Sequence, residues 1–168
     1  AATKKSNEVM AYSYSNIYQL PCTGLRFFTV YGPFGRPDMA LFKFANIIKN
    51  NKTLPLFNKG DHERDFTYID DIVEGIYSII NRPSKKKIPF NIFNIGKGKA
   101  NKLKNFLNLI ENNLNKKAKV TNLPLQLGDV KKTHSDVSKL KKYSNYRPKT
   151  DIIKGIKYFI KWYNQYYK

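Results

Sequence analysis

With 168 residues the chain is long enough for one compact domain with its own core, and its single cysteine, Cys22, excludes an internal disulfide and fits a reducing, cytoplasmic setting. No apolar run of about eighteen residues is present, which argues against a helical membrane span, and no charged-then-apolar leader opens the text. The formal charge of +19 is almost all lysine; arginine, which reads phosphates and guanines with a planar fork, stands only at Arg26, Arg36, Arg64, Arg82 and Arg147, so a nucleic-acid partner is not expected. In chain order, residues 3–19 are expected to form a helix, with Val9, Met10, Tyr14, Ile17 and Tyr18 at helical spacing and Pro21 as its stop. TGLRFFTVY, 23–31, is rich in aromatic and β-branched residues and predicts one buried strand. GPFGRP follows as a loop, and Asp38 to Asn50 as a helix with Met39, Leu41, Phe42, Phe44, Ile47 and Ile48 facing a core.

Short strands are expected at 54–57 and 64–68, with a turn at 58–61 between them. Asp70 or Asp71 then caps a helix running to about Asn81, the Asp71 and Glu74 spacing fits a capping box, and Ile72, Val73, Ile76, Ile79 and Ile80 turn inward. A strand at 89–95 ends at Gly96, a helix spans about 102–115, a strand 118–122, and helices 135–142 and 151–167 close the chain. The alternation predicts an α/β protein with crossover connections. Neither a GxGxxG after an opening strand nor an acidic residue about twenty positions beyond it is found, and the text starts at Ala1. A fragment of a longer protein is therefore the expectation.

The lysine runs 85–87, 116–117 and 141–142 fall in or near expected loops and helix ends. Lys, Asn, Ile and Tyr are abundant together, as A/T-rich codons would make them without selection for nucleic acid. No metal centre is expected, because His62 and His134 lie far from other candidate ligands. The aromatic stripe Phe159, Trp162, Tyr163 and Tyr166 on the last helix reads as packing.

Six segments share the order found in one enzyme family: AATKKSNEVMA at 1–11, TGLRFFTVYGPFGRPDMALFKF at 23–44, GDHERDFTYIDDIVEGI at 60–76, FNIGKGK at 93–99, LPLQLGDV at 123–130 and KYFIKWYNQYY at 157–167. Through them the chain resembles the extended short-chain dehydrogenase/reductase family of NAD-dependent epimerases and dehydratases, and within it the UDP-glucuronate 4-epimerases. The resemblance implies the C-terminal part of a Rossmann-type fold, residues 1–35 and 64–97, plus a small nucleotide-sugar-binding domain, residues 36–63 and 98–168. It implies NAD as cofactor, a UDP-sugar as substrate, and a homodimer at full length through a helical contact that includes residues 3–19.

The family's catalytic pair is Tyr-x-x-x-Lys on one helix. Lys4 matches the lysine, which places the tyrosine one position before Ala1. Residues i and i+4 share a helix face, so the ammonium favours the tyrosinate and holds the nicotinamide ribose. The tyrosine then takes the sugar 4-hydroxyl proton as hydride passes to NAD, and the 4-keto sugar turns over before hydride returns. On spacing alone, Lys4 reads as an exposed helix lysine near Glu8. The backbone around Phe28 and Tyr31 is expected near the nicotinamide.

In the resembled enzymes the threonine and arginine matching Thr29 and Arg36 bind the sugar carboxylate, which suits a guanidinium fork and a hydroxyl donor. The other readings are a loop arginine on backbone carbonyls and a strand threonine bonded to backbone. Arg64 resembles the arginine that grips the UDP pyrophosphate, with Lys43 and Gln126 assisting. Relatives often carry arginine where Gln126 stands, so a second arginine clamp is not expected. Asp129 resembles the aspartate that bonds the uridine ribose, and Phe57 either covers the uracil or packs in the core. Without the tyrosine and the glycine-rich phosphate loop, the chain is expected to bind NAD poorly and to be inactive. It should retain partial affinity for the UDP moiety and expose a large apolar face. The runners-up are another epimerase, dehydratase or decarboxylase of the same family, or a non-catalytic basic binding module.

Overall fold

The computed structural model describes residues 1–167; Lys168, the last residue of the expected 98–168 segment, lies outside the described residues. The chain opens with α1, Ala2–Tyr18, which ends where Gln19 turns left-handed ahead of Pro21. One face of α1 lies on two parallel strands, β1 (Cys22–Phe27) and β5 (Phe90–Ile95). There Tyr12 meets Phe90 edge-on at 5.4 Å, and Glu8 holds Arg26 through two bonds of 2.6 and 2.7 Å. The other face is uncovered: Val9, Met10, Ile17 and Tyr18 are all more than half exposed.

The expected single strand over 23–31 is two. β1 runs along β5 as far as the Phe27–Ile95 pair, where β5 reaches its end. Phe28 makes the last link, its N–H donating to Ile95 O at 3.2 Å, and β2 (Thr29–Tyr31) then takes β4 (Glu63–Tyr68) as its parallel partner. β1 is also not buried as expected, since Arg26 and Phe27 are exposed. β4 pairs on its other side with a short antiparallel strand, β6 (Ala100–Lys102), which the sequence pattern does not announce.

Beyond this sheet, α2 (Ala40–Lys49), α4 (Leu103–Leu114) and α6 (Ile152–Tyr166) enclose the larger core with β3 (Thr53–Phe57), which pairs in parallel with β7 (Lys119–Leu123). Tyr31, Phe42, Phe66, Phe106, Ile156 and Phe159 fill that core, with Phe66 and Phe106 stacked at 4.0 Å. On the last helix Phe159 and Tyr163 are buried, whereas Tyr166 stays mostly exposed. A second core lies between α3 (Ile69–Ile80), β5 and α5 (Ser138–Ser144), built from Ile72, Ile79, Phe93, Ile95 and Leu140.

Two details of α3 depart from expectation. The helix starts directly at the end of β4 with no side-chain cap, and Asp71 turns inward instead of capping. Its carboxylate accepts from Lys149 N at 2.9 Å, Thr150 N at 3.0 Å and Thr150 Oγ1 at 3.3 Å, pinning the chain just before α6. Val73 and Ile80 are exposed, because the buried stripe is narrowed to Ile72, Gly75 and Ile79 beside Asp71. Asp65 has a similar role in β4: fully buried, it accepts from the N–H groups of Lys97, Gly98 and Ser135, each at 3.0 Å. No helix among the described residues is long and apolar enough to cross a membrane.

Candidate functional site

β2 delivers the chain into the loop 32–39 ahead of α2, and that loop is shaped by Gly32 at φ +147, where an added Cβ would strike Ile69. The loop is held from outside by Phe34, whose ring lies 4.8 Å from Trp162. Between this loop, α2, the β3 end and the segment after β7 lies a pocket of about 320 Å³. Its apolar wall includes Phe44, Ile47, Leu54, Leu56 and Phe57, and its polar wall Thr29, Asp38, Lys43, His62, Arg64, Gln126 and Asp129. An apolar cavity of this size with a few convergent polar groups is the usual form of a small-molecule site.

Six of the residues singled out from sequence thus border one cavity: Thr29, Lys43, Phe57, Arg64, Gln126 and Asp129. Arg64 is its best-anchored cation. The guanidinium donates from Nη2 to Asp129 Oδ1 at 2.7 Å, and from Nη1 to Glu63 O at 2.9 Å and Lys131 O at 3.2 Å. Asp129 sits in a turn closed by its own N–H on Gln126 O at 3.2 Å, next to Gly128 at φ +79. That segment is laid against β4 by Glu63 N to Lys131 O at 2.8 Å and Thr133 N to Glu63 O at 3.0 Å.

Arg36 lines a small niche next to the pocket, shared with Thr29 and Tyr31. Its fork is occupied: Nε donates to Asp38 Oδ1 at 3.0 Å and Nη2 to Asp38 Oδ2 at 2.5 Å, both side chains being exposed. The guanidinium draws the Asp38 carboxyl below its usual range, and Asp38 raises Arg36 in return. Asp38 therefore stands on one of the two guanidinium edges that can take a carboxylate.

The three residues assigned to the cofactor are not in the pocket wall. Lys4 is exposed in the first turn of α1 and Phe28 is half-buried at the strand switch. The Tyr31 ring belongs to the core, edge-on to Phe66, Tyr68 and Phe106, and burial pushes its hydroxyl well above the usual range. His62 and Asp38 were not among the site residues read from sequence. Asp38 was legible as a carboxylate two positions from Arg36; His62 carries no spacing signal. Among the described residues no group of three or more His, Cys, Asp and Glu is placed to hold a metal ion.

The model of the NAD dependent epimerase/dehydratase family matches residues 1–96, more than half of the chain. The chain belongs to that family. Among curated relatives it is similar to Protein CapI of Staphylococcus aureus, 45% identical over all of this chain and 54% of the relative, and to UDP-glucuronate 4-epimerase 5 of Arabidopsis thaliana, 43% identical over 99% of this chain and 41% of the relative. Among solved structures it is similar to UDP-glucuronic acid 4-epimerase from Bacillus cereus, crystallised with UDP-glucuronic acid and NAD. That likeness has a TM-score of 0.91 at 32% identity, covering 99% of this chain and 52% of the other. The chain thus spans about half the length of the family members it matches, and its mixed α/β architecture is that of the extended short-chain dehydrogenase/reductase fold.

Proposed function

We propose that this chain carries the nucleotide-sugar site of an NAD-dependent 4-epimerase that interconverts UDP-glucuronate and UDP-galacturonate. The observation that carries the reading is the gathering of Arg64, Lys43, Gln126, Asp129, Phe57 and Thr29 around one cavity, with Arg64 already fixed in place. In this reading Arg64 and Lys43 bind the pyrophosphate, Gln126 assists, Asp129 accepts from the uridine ribose and Phe57 covers the uracil. Arg36 and Thr29 take the sugar carboxylate. Arg36 either releases Asp38 or uses its remaining Nη1/Nη2 edge, and in both cases Asp38 makes its contribution less than a whole ion pair.

Lys4, an exposed ammonium, suits a ribose hydroxyl, while the Tyr31 side chain is committed to the core and only backbone near it would face the cofactor. NAD supplies the hydride acceptor and donor for the sugar C4. The division into Rossmann residues 1–35 and 64–97 and a sugar domain of the rest belongs to this proposal, as does a homodimer built on the uncovered apolar face of α1.

A neutral-sugar relative is the second reading, and the Arg36–Asp38 pair favours it, because Asp38 takes the Nε/Nη2 edge and offsets the guanidinium charge, leaving only the Nη1/Nη2 edge for a carboxylate. Calorimetric titration of the chain with UDP-glucuronate and with UDP-glucose separates the two. The acidic sugar should bind tighter, and Arg36→Ala should weaken UDP-glucuronate by about tenfold while sparing UDP-glucose. Equal losses for both ligands would transfer the assignment to the neutral sugar, and no binding of either would end the reading.

A further inference from the structure

The pocket contains a buried polar atom that its walls leave unsatisfied. His62 is 5% exposed, and its Nε2 makes no hydrogen bond among the described residues. Its backbone is fixed, since His62 O accepts from Leu103 N at 2.8 Å, and its ring is buried with Nε2 unused. The facing acceptor is Asp129 Oδ2 at 3.4 Å, just beyond a closed bond, while the sister oxygen Oδ1 is held by Arg64 at 2.7 Å. A buried polar group without a partner in a ligand-sized cavity marks an interaction that is completed in another state.

We propose that His62 is a positioning residue of the nucleotide pocket, taking over the Asp129 carboxylate so that Arg64 is freed for the ligand's diphosphate. The proposal rests on the nucleotide-sugar reading above. Asp129 stands in an exposed turn whose carboxylate is otherwise held by Arg64 and its neighbour's amide, Val130 N at 2.9 Å. A diphosphate that draws the guanidinium away takes a donor from Asp129 Oδ1, the oxygen left to the uridine ribose and water, while Oδ2 faces the His62 ring at 3.4 Å and is steadied by it. A neutral imidazole donates from Nε2 in only one of its tautomers, whereas a protonated ring donates from both nitrogens. The hand-over therefore strengthens with protonation. The charged groups on the same walls are Arg64 from β4, Lys43 from α2, Asp38 from the loop before it and Asp129 from the turn; α4 contributes apolar Leu103.

The test is calorimetric titration of UDP-glucuronate into the chain and into His62→Gln at about pH 6 and about pH 8, a window that spans the ordinary histidine range while the ligand's diphosphate keeps its charge. The parent chain should bind roughly threefold to tenfold tighter at the lower pH, and His62→Gln should bind alike at both. A pH response that survives in His62→Gln, with binding otherwise intact, overturns the inference and leaves the nucleotide-sugar reading standing. Ring NMR at a single pH without ligand tests the pair separately. The sequence has two histidines, and His134, whose Nε2 lies 3.0 Å from Gly98 O, serves as the reference. Asp129→Asn should shift the His62 ring resonances and leave those of His134 in place. Unmoved His62 resonances refute the inference even if UDP-glucuronate fails to bind, an outcome that separately refutes the function proposed above.

Discussion

Replacing Arg64 by alanine tests whether the roof of the pocket is held by the contacts seen here. The side chain is 17% exposed and donates to one carboxylate and two backbone carbonyls. The bond to the carboxylate contributes about 1.5–3 kcal/mol net and each of the two to backbone carbonyls at least about 0.5–1.5, so the gross contribution is about 2.5–6 kcal/mol. Two features reduce it. Lys131 O keeps a second donor in Glu63 N, and Asp129, with 35% of its side chain exposed, regains water when the arginine leaves. The expected loss is about 2 kcal/mol of folding stability. Urea denaturation followed by the fluorescence of Trp162, the single tryptophan, measures it directly. A double-mutant cycle with Asp129→Ala isolates the pair, with an expected coupling of about 1 kcal/mol. In the same preparations Arg64→Ala should weaken UDP-glucuronate at least about tenfold. Strict additivity of the two substitutions, with coupling below about 0.3 kcal/mol, would mean that the roof is carried by its backbone bonds to β4 and that Arg64 is not its anchor.

Two further substitutions probe the frame around the site. Gly155→Ala places a methyl group inside the van der Waals envelope of the Tyr31 hydroxyl, in a core already filled by Phe66 and Phe106, and should cost about 2–3 kcal/mol in thermal or urea denaturation. Combination with Tyr31→Phe should recover part of that loss, and no recovery would place the strain elsewhere. Glu8 concerns the seat of α1. Its carboxyl is lowered from 4.5 to about 2, chiefly by its bond to Arg26 and then by Lys5. A depressed folded value means that this contribution is complete above about pH 4.5 and is lost as pH falls through about 2. Helical circular dichroism should therefore decline in that interval, with Glu8→Gln reducing the decline and salt weakening it. An unchanged acid limb in Glu8→Gln would show that α1 is seated by its packing on β5 alone.

What the sequence makes legible depends on how far away the deciding partner lies. The pocket-lining residues Thr29, Lys43, Arg64 and Asp129 belong to three segments whose order and register resemble one family, so a distant assembly is read from local text. Periodicity likewise places the six α-helices of the described residues, although the residues that announce α1, Val9, Met10, Tyr14, Ile17 and Tyr18, lie on its exposed face and the helix buries only Ser15. It does not say which stripe is covered: Val73 and Ile80 fit the α3 pattern and lie outside it. The end of β1 is invisible in a run as continuous as Phe27, Phe28 and Thr29, since the break is set by where β5 stops. Asp71 has the local signature of a helix cap, and only the Lys149 and Thr150 amides, far along the chain, turn it into a tether. His62 has no signature at all until Asp129 is brought opposite its ring. Asp38 shows the converse. It is two residues from Arg36 and plain in the text, yet only the fork geometry reveals it as a rival for the ligand's carboxylate. The affinity of such a site for an acidic sugar is then decided by competition between two carboxylates for one guanidinium, a quantity that neither the arginine nor its motif contains.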